Sequence, residues 1–280
     1  MAVAVVVPVA SAWPVPATTP AGAATPAGAA TPPARVALFG DSLAFQAAPY
    51  FAWLVEAGGR ATVSQHTFGG TNACDWLPTM RRVAADDHPQ AVVLEFVGNT
   101  FTRCMAGCTS GSAKAVDRTC SDLSVAVRIF RAVRARVYLV GTPVTRAQWV
   151  DRDPHRDDLN RRLAAMAKAA GRGVAYVDAG RAVEGRGGSF VTYLRCLYYE
   201  PCTGPLRGGV RTDVVRSPDG VHFCPGESGN PIGQVPGCTV YSSGAYRFAA
   251  AMAGPVIADL HLGRSDPPVR AHAPSRGTTG

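Results

Sequence analysis

Lysine is almost missing from this 280-residue chain: the 28 basic residues are 26 arginines plus Lys114 and Lys168. The arginines are scattered and no Lys/Arg-rich block occurs, so a net charge of +8 carries no nucleic-acid signature. Excess Arg, Ala, Gly and Pro together mark GC-rich coding. What the charge leaves open is attraction to anionic cell-envelope polymers. No apolar run reaches the ~18–20 residues that a membrane-spanning helix needs. No Cys-x-x-Cys pair, the usual core of a structural zinc site, is present either. These absences argue against a transmembrane segment, a zinc knuckle and a polybasic nucleic-acid binder. No metal, no cofactor and no nucleic-acid partner is expected, and the chain is expected to act as a monomer.

Eight cysteines are present: Cys74, Cys104, Cys108, Cys120, Cys196, Cys202, Cys224 and Cys238. An even number at short spacings predicts disulfides and an oxidising compartment. The first residues agree. "MAVAVVVPVASA" is apolar and ends in small residues, like the core and cleavage site of a signal peptide, although it lacks a basic start. An Ala/Thr/Pro tract follows, and the residues after Gly263 are rich in Pro, Arg, Ser and Gly; neither can bury a core. The expected organisation is a signal-peptide-like segment and disordered linker over 1–33, one domain over 34–262, and a disordered tail over 263–280.

Within that domain, apolar runs at Arg35–Phe39, Thr62–Phe68, Ala91–Val97, Arg136–Val140 and Val174–Val177 predict strands. Helical patterns intervene at Leu43–Glu56, Asp75–Ala85, Ala113–Ala132 and Asp157–Ala170, with a last one at Ser243–Leu260. Strands alternating with helices predict an α/β fold built on a parallel sheet. The strands are continuously apolar, as when both faces are covered. Ligands in such sheets bind beyond the carboxyl ends of the strands. The segments standing there are Gly40-Asp41-Ser42, Gly69-Gly70-Thr71-Asn72 and Gly98-Asn99-Thr100, to which "SPDGVHF" (217–223) adds a loop before the last helix.

These four segments resemble the four signature blocks of the SGNH/GDSL hydrolase family. Gly40-Asp41-Ser42-Leu43 matches the motif that names it, and Asp219-Gly-Val-His222 the last block. The resemblance implies a flavodoxin-like three-layer α/β/α sandwich with a five-stranded parallel sheet. It implies Ser42 as nucleophile, His222 as general base and Asp219 as its acid partner. A serine needs an adjacent base to become nucleophilic, and the acid fixes the base's tautomer. The implied oxyanion donors are the Ser42 amide, the Gly70 amide (with Gly69 its competitor) and the Asn99 side chain. Asp41 is expected to cap the first helix or brace its turn.

Cys74 and Cys104 follow the second and third strands, so a bridge between them would tie the two donor loops together. Cys108–Cys120, Cys196–Cys202 and Cys224–Cys238 complete that pattern; Cys74–Cys120 with Cys104–Cys108 is the rival. The insertion Gly185–Arg216, carrying Tyr193, Tyr198, Tyr199, Arg195 and Arg207, is a candidate for shaping the substrate pocket, or an ordinary packed surface loop. With no long apolar lid, the expected activity is that of an exported serine esterase or deacylase, secreted or attached to the cell envelope. Its substrate would be a small-molecule or glycan O-acyl ester. The alternatives are an O-acyltransferase using the same triad and a catalytically silent glycan-binding module.

Overall fold

Five short apolar runs become the strands β1 (Ala34–Gly40), β2 (Ala61–Thr67), β3 (Ala91–Glu95), β4 (Arg136–Val140) and β5 (Val174–Val177). They form one parallel sheet in the order β2-β1-β3-β4-β5. The computed structural model describes residues 32–225, 238 and 241–263. The expected leader and linker (1–33) and tail (263–280) lie outside these, apart from residues 32, 33 and 263. Among the described residues, no helix is long and apolar enough to cross a membrane.

Successive strand residues feed opposite layers, which is why the inner strands β1, β3 and β4 are largely apolar, while the edge strand β2 is mostly polar. Val36, Leu38, Val93, Tyr138 and Val140 pack under the helices α1 (Ser42–Glu56) and, at the end of the domain, α6 (Ser243–Asp259). Ala37, Phe39, Val92, Leu94 and Leu139 pack under α2 (Ala73–Asp86), α3 (Ala113–Ala132) and α5 (Asp158–Ala170). The result is the expected α/β/α sandwich in flavodoxin-like order. The chain leaves β1 for β2 on one side and returns to β3 on the other, so the strand order reverses at the carboxyl ends of β1 and β3. That crevice is where such sheets bind ligands.

Gly40 makes the turn out of β1 possible. A Cβ there would stand 2.3 Å from the Ala44 Cβ and 2.7 Å from the Glu95 carbonyl oxygen, so any larger residue would push α1 away from β3. α1 then begins directly at Ser42. Asp41 caps it, its Oδ1 accepting from the Leu43 amide at 3.1 Å. α2 starts two residues ahead of the expected Asp75, because Asn72 and Asp75 form a reciprocal capping box. β3 stops at Glu95 rather than Val97, since the Val97 amide donates to Asp41 Oδ2 (2.7 Å) instead of joining the sheet ladder.

Two features had no counterpart in the sequence reading. The short helix α4 (Arg146–Val150) is set by a capping box between Thr145 and Gln148. Strands β6 (Tyr193–Arg195) and β7 (Thr212–Val214) pair antiparallel inside the 185–216 insertion. Five- and three-residue elements are too short to show a hydrophobic period.

Three cysteine pairs are joined: Cys74–Cys104, Cys196–Cys202 and Cys224–Cys238. The expected fourth bond is not formed, nor is the rival pattern. Cys108 and Cys120 are separate thiols. Cys120 lies on the buried face of α3 within the apolar layer, where burial pushes its thiol pKa up. Cys108 lies partly exposed in the loop ahead of α3. Thiol titration of the denatured, unreduced protein should therefore find two groups per chain. A count of zero would mean that a Cys108–Cys120 bond forms after all.

Candidate active site

Ser42 is the first residue of α1, placed by the β1 turn at the reversal of strand order. His222 reaches it from the loop ahead of α6, with Nε2 2.9 Å from Ser42 Oγ. His222 Nδ1 lies 2.6 Å from Asp219 Oδ2. Asp219 Oδ1 accepts from the amides of Val221 (2.8 Å) and His222 (3.0 Å). Burial alone would raise the Asp219 pKa; the hydrogen bonds from the His222 ring and the two amides outweigh it and hold the carboxyl well below the usual range. Asp219 is thus an acceptor only. Nδ1 of His222 must be the donor in that bond, which leaves Nε2 free to accept the Ser42 hydroxyl proton.

Three contacts register this loop against the nucleophile. Gln46, one turn beyond Ser42 on α1, accepts from the Phe223 amide at 2.8 Å. The Gly220 carbonyl accepts from the Arg146 amide at 2.9 Å. Gly220 also has φ +78°, and a Cβ there would stand 2.5 Å from the Arg146 Cβ, so the close approach of loop and α4 requires glycine. Arg216 is buried between the rings of Phe190 and Phe223, and its Nη2 donates to the carbonyls of Val144 (3.2 Å) and Gly220 (3.4 Å). Burial lowers the guanidinium pKa to about 10, so it stays charged at neutral pH.

Asn99 and Gly70 border the same cleft as Ser42 and His222, a cavity of about 590 Å³. Gly69, the competing glycine, is not among its lining residues. The Asn99 Nδ2 donates to Asp41 Oδ2 (3.1 Å) and to the Thr71 carbonyl (3.2 Å). Asn72, which the sequence reading left without a role, donates to the Asn99 carbonyl at 2.8 Å and to Thr119 Oγ1 at 2.9 Å. Its place three residues before Asp75 was the available signal. Asp41 caps α1, one of the two roles expected of it, and also holds the loop after β3.

The tyrosines and arginines singled out in the insertion do not line the cleft. Among the described residues, Tyr193, Arg195, Tyr198, Tyr199 and Arg207 are all absent from its walls. Tyr199 packs edge-on against Tyr198 and against Tyr246 of α6, while the Arg207 guanidinium lies 4.2 Å from the centre of the Tyr193 ring. The walls come instead from the loops after β3 and β4, with Phe101, Thr142, Gln148, Asp151 and Asp153. Two described groups bring cysteine and aspartate within metal-ligand reach: Cys74, Asp75 and Cys104, and Cys196, Cys202 and Asp213. In both, the cysteines are tied up in disulfides and offer no thiolate.

The sequence profile of the GDSL-like lipase/acylhydrolase family matches residues 38–198. This chain belongs to that family. It is accordingly an ester-bond hydrolase of the GDSL type. No curated protein matches it in a sequence search. A lipase/acylhydrolase from Enterococcus faecalis has a similar fold, with a TM-score of 0.52 at 15% identity over 83% of this chain and 100% of that one. A GDSL-like lipase from Bacteroides thetaiotaomicron aligns at TM-score 0.47 and 12% identity, over 80% of this chain and 88% of the other. An acetylxylan esterase from Geobacillus stearothermophilus aligns at TM-score 0.44 and 15% identity, over 54% and 78%. The GDSL match ends before Asp219 and His222, so the acid–base loop stands on its geometry.

Proposed function

We propose that this protein is an exported serine esterase that removes short acyl groups from a polar, glycan-type alcohol through Ser42, His222 and Asp219. The observation that carries this reading is the unbroken relay from Asp219 through His222 to Ser42, at 2.6 and 2.9 Å, at the edge of the cleft. His222 takes the Ser42 proton as the oxygen attacks the ester carbonyl, then gives it to the departing alcohol. Water, deprotonated by the same imidazole, releases the acid from the acyl-serine. The oxyanion of each tetrahedral intermediate is met by the amides of Ser42 and Gly70 and by the Asn99 side chain, which gives up its longer bond to the Thr71 carbonyl.

The cleft lining supports the substrate class. Ser110, Thr142, Thr145, Gln148, Asp151 and Asp153 offer hydrogen-bonding groups to a polyhydroxylated alcohol, and Phe101, 71% exposed, offers a flat apolar face. The two aspartates disfavour an anionic ester. Export is supported by the three disulfides. The test is a series of p-nitrophenyl esters of increasing acyl length together with acetylated polysaccharides, with Ser42→Ala as the control. Free acetate released from the polysaccharide and a rate falling with chain length are expected. Preference for long chains, or acyl transfer to an added sugar in place of acid release, would overturn the substrate or the reaction.

A further inference from the structure

β3 ends on Glu95, a residue to which the mechanism above gives no step. It is fully buried, and it is the one charged residue in the apolar run Ala91–Val97. Its Oε2 accepts from the Ala44 amide at 3.1 Å, in the first turn of the helix that begins with Ser42. Its Oε1 is buried and has no donor among the described residues. Asp41, equally buried, is in hydrogen-bond contact with it. A contact between two carboxyls needs a proton, and two buried carboxylates side by side cannot both be ionised. Asp41 accepts from Leu43, Val97 and Asn99, three donors that favour its anion, whereas Glu95 has two, the backbone amides of Ala44 and of Asp41 itself. The shared proton belongs on Glu95, the carboxyl with fewer donors.

We infer that Glu95 is a positioning residue: a neutral carboxylic acid that donates to Asp41, fixes it as the acceptor for Asn99, and clamps the first turn of α1 beneath Ser42. Burial first, and the charge of Asp41 second, push the Glu95 carboxyl well above its ordinary range, in keeping with that placement. The inference rests on the proposed roles of Ser42 and Asn99. It goes beyond them by assigning a protonation state and a task to a group that touches neither substrate nor nucleophile.

The test compares Glu95→Gln with Glu95→Ala. Glutamine reproduces a neutral acid, with its amide donating to Asp41 and its carbonyl accepting from Ala44. Glu95→Ala should lower kcat on p-nitrophenyl acetate by about tenfold or more, the order of one lost buried hydrogen bond, with KM within about twofold. Glu95→Gln should recover kcat to within about threefold of wild type. A folded Glu95→Ala enzyme with wild-type kcat would overturn the inference, and so would a Glu95→Gln enzyme as slow as the alanine variant. Should the alanine variant not fold, infrared spectra of wild type and Glu95→Gln at neutral pH decide the matter. The wild type should show the carbonyl stretch of a buried neutral carboxylic acid, lost in the variant; its absence from the wild type refutes the assignment. Ser42→Ala run alongside separates the two failures. If wild type hydrolyses esters no faster than Ser42→Ala, the serine mechanism falls, while the infrared band still reports on Glu95.

Discussion

Ser42→Ala should reduce kcat/KM on a p-nitrophenyl ester by about 10⁴- to 10⁶-fold, the range seen when one member of a serine triad is removed. His222→Ala should fall as far, because a serine without its base is no better than none. The double variant should be scarcely slower than either single one, since the pair acts as a unit. Folding should be spared. Ser42 is the first residue of α1, the helix that Asp41 caps, and among the described residues its side-chain hydroxyl bonds to His222 alone. The measurement is steady-state hydrolysis by variants whose melting curves match wild type. Turnover within about tenfold of wild type in either folded variant would remove the proposed triad.

The second large effect is expected at Asn99. Asn99→Ala should lower kcat by about 100- to 1000-fold, with KM little changed, because the amide serves the tetrahedral oxyanion rather than the ester itself. The same site gives a pH signature. Burial raises the Asp41 pKa to about 6 against the hydrogen bonds it accepts, a value belonging to the Asp41–Glu95 pair. As pH falls through about 6, Asp41 takes up a proton, so one acceptor for Asn99 is lost while the base also has to remain unprotonated. The acid limb of kcat/KM should therefore be steeper than a single ionisation. Stability runs the other way for this group. A carboxyl whose folded pKa is raised costs stability above that pKa, and the cost is relieved as pH falls through it. Activity lost near pH 6 with an unchanged or improved melting temperature is the expected pattern. A limb of unit slope would mean that Asp41 does not titrate there.

What was legible in the sequence had a period or a spacing. The inner strands β1, β3 and β4 were visible as apolar runs, because burial on both faces leaves no polar alternation to confuse with a helix, whereas the edge strand β2 carries Ser64, Gln65 and His66 and is only partly buried. Ser42 was marked by the strand-to-helix turn and by Gly40, and Asp219 with His222 by a loop three residues apart. Contacts that join distant segments left no such trace. Arg216 looked like any other of the scattered arginines, and only its burial between two phenylalanine rings distinguishes it. Glu95 carried a signal that went unused, a single acid inside a buried strand. Cys108 and Cys120 were assigned to a bond by counting, whereas Cys120 is buried in α3 and Cys108 lies partly exposed in the loop ahead of that helix. The tyrosines of the insertion suggested a substrate surface, and they are occupied with one another and with α6.

The hydrogen bond between His222 and Ser42 spans 180 residues of chain. The proposed nucleophile leaves the ribosome early and the proposed base late, and α6, the last of the described elements, docks on α1. No nascent fragment holds both halves of the relay, so the catalytic power is withheld until synthesis has passed the base. If the proposed export holds, an incomplete chain cannot attack acylated molecules inside the cell that makes it. Recovery of turnover after denaturation therefore reports the joining of the 217–223 loop to the start of α1, and it should lag behind the return of the sheet.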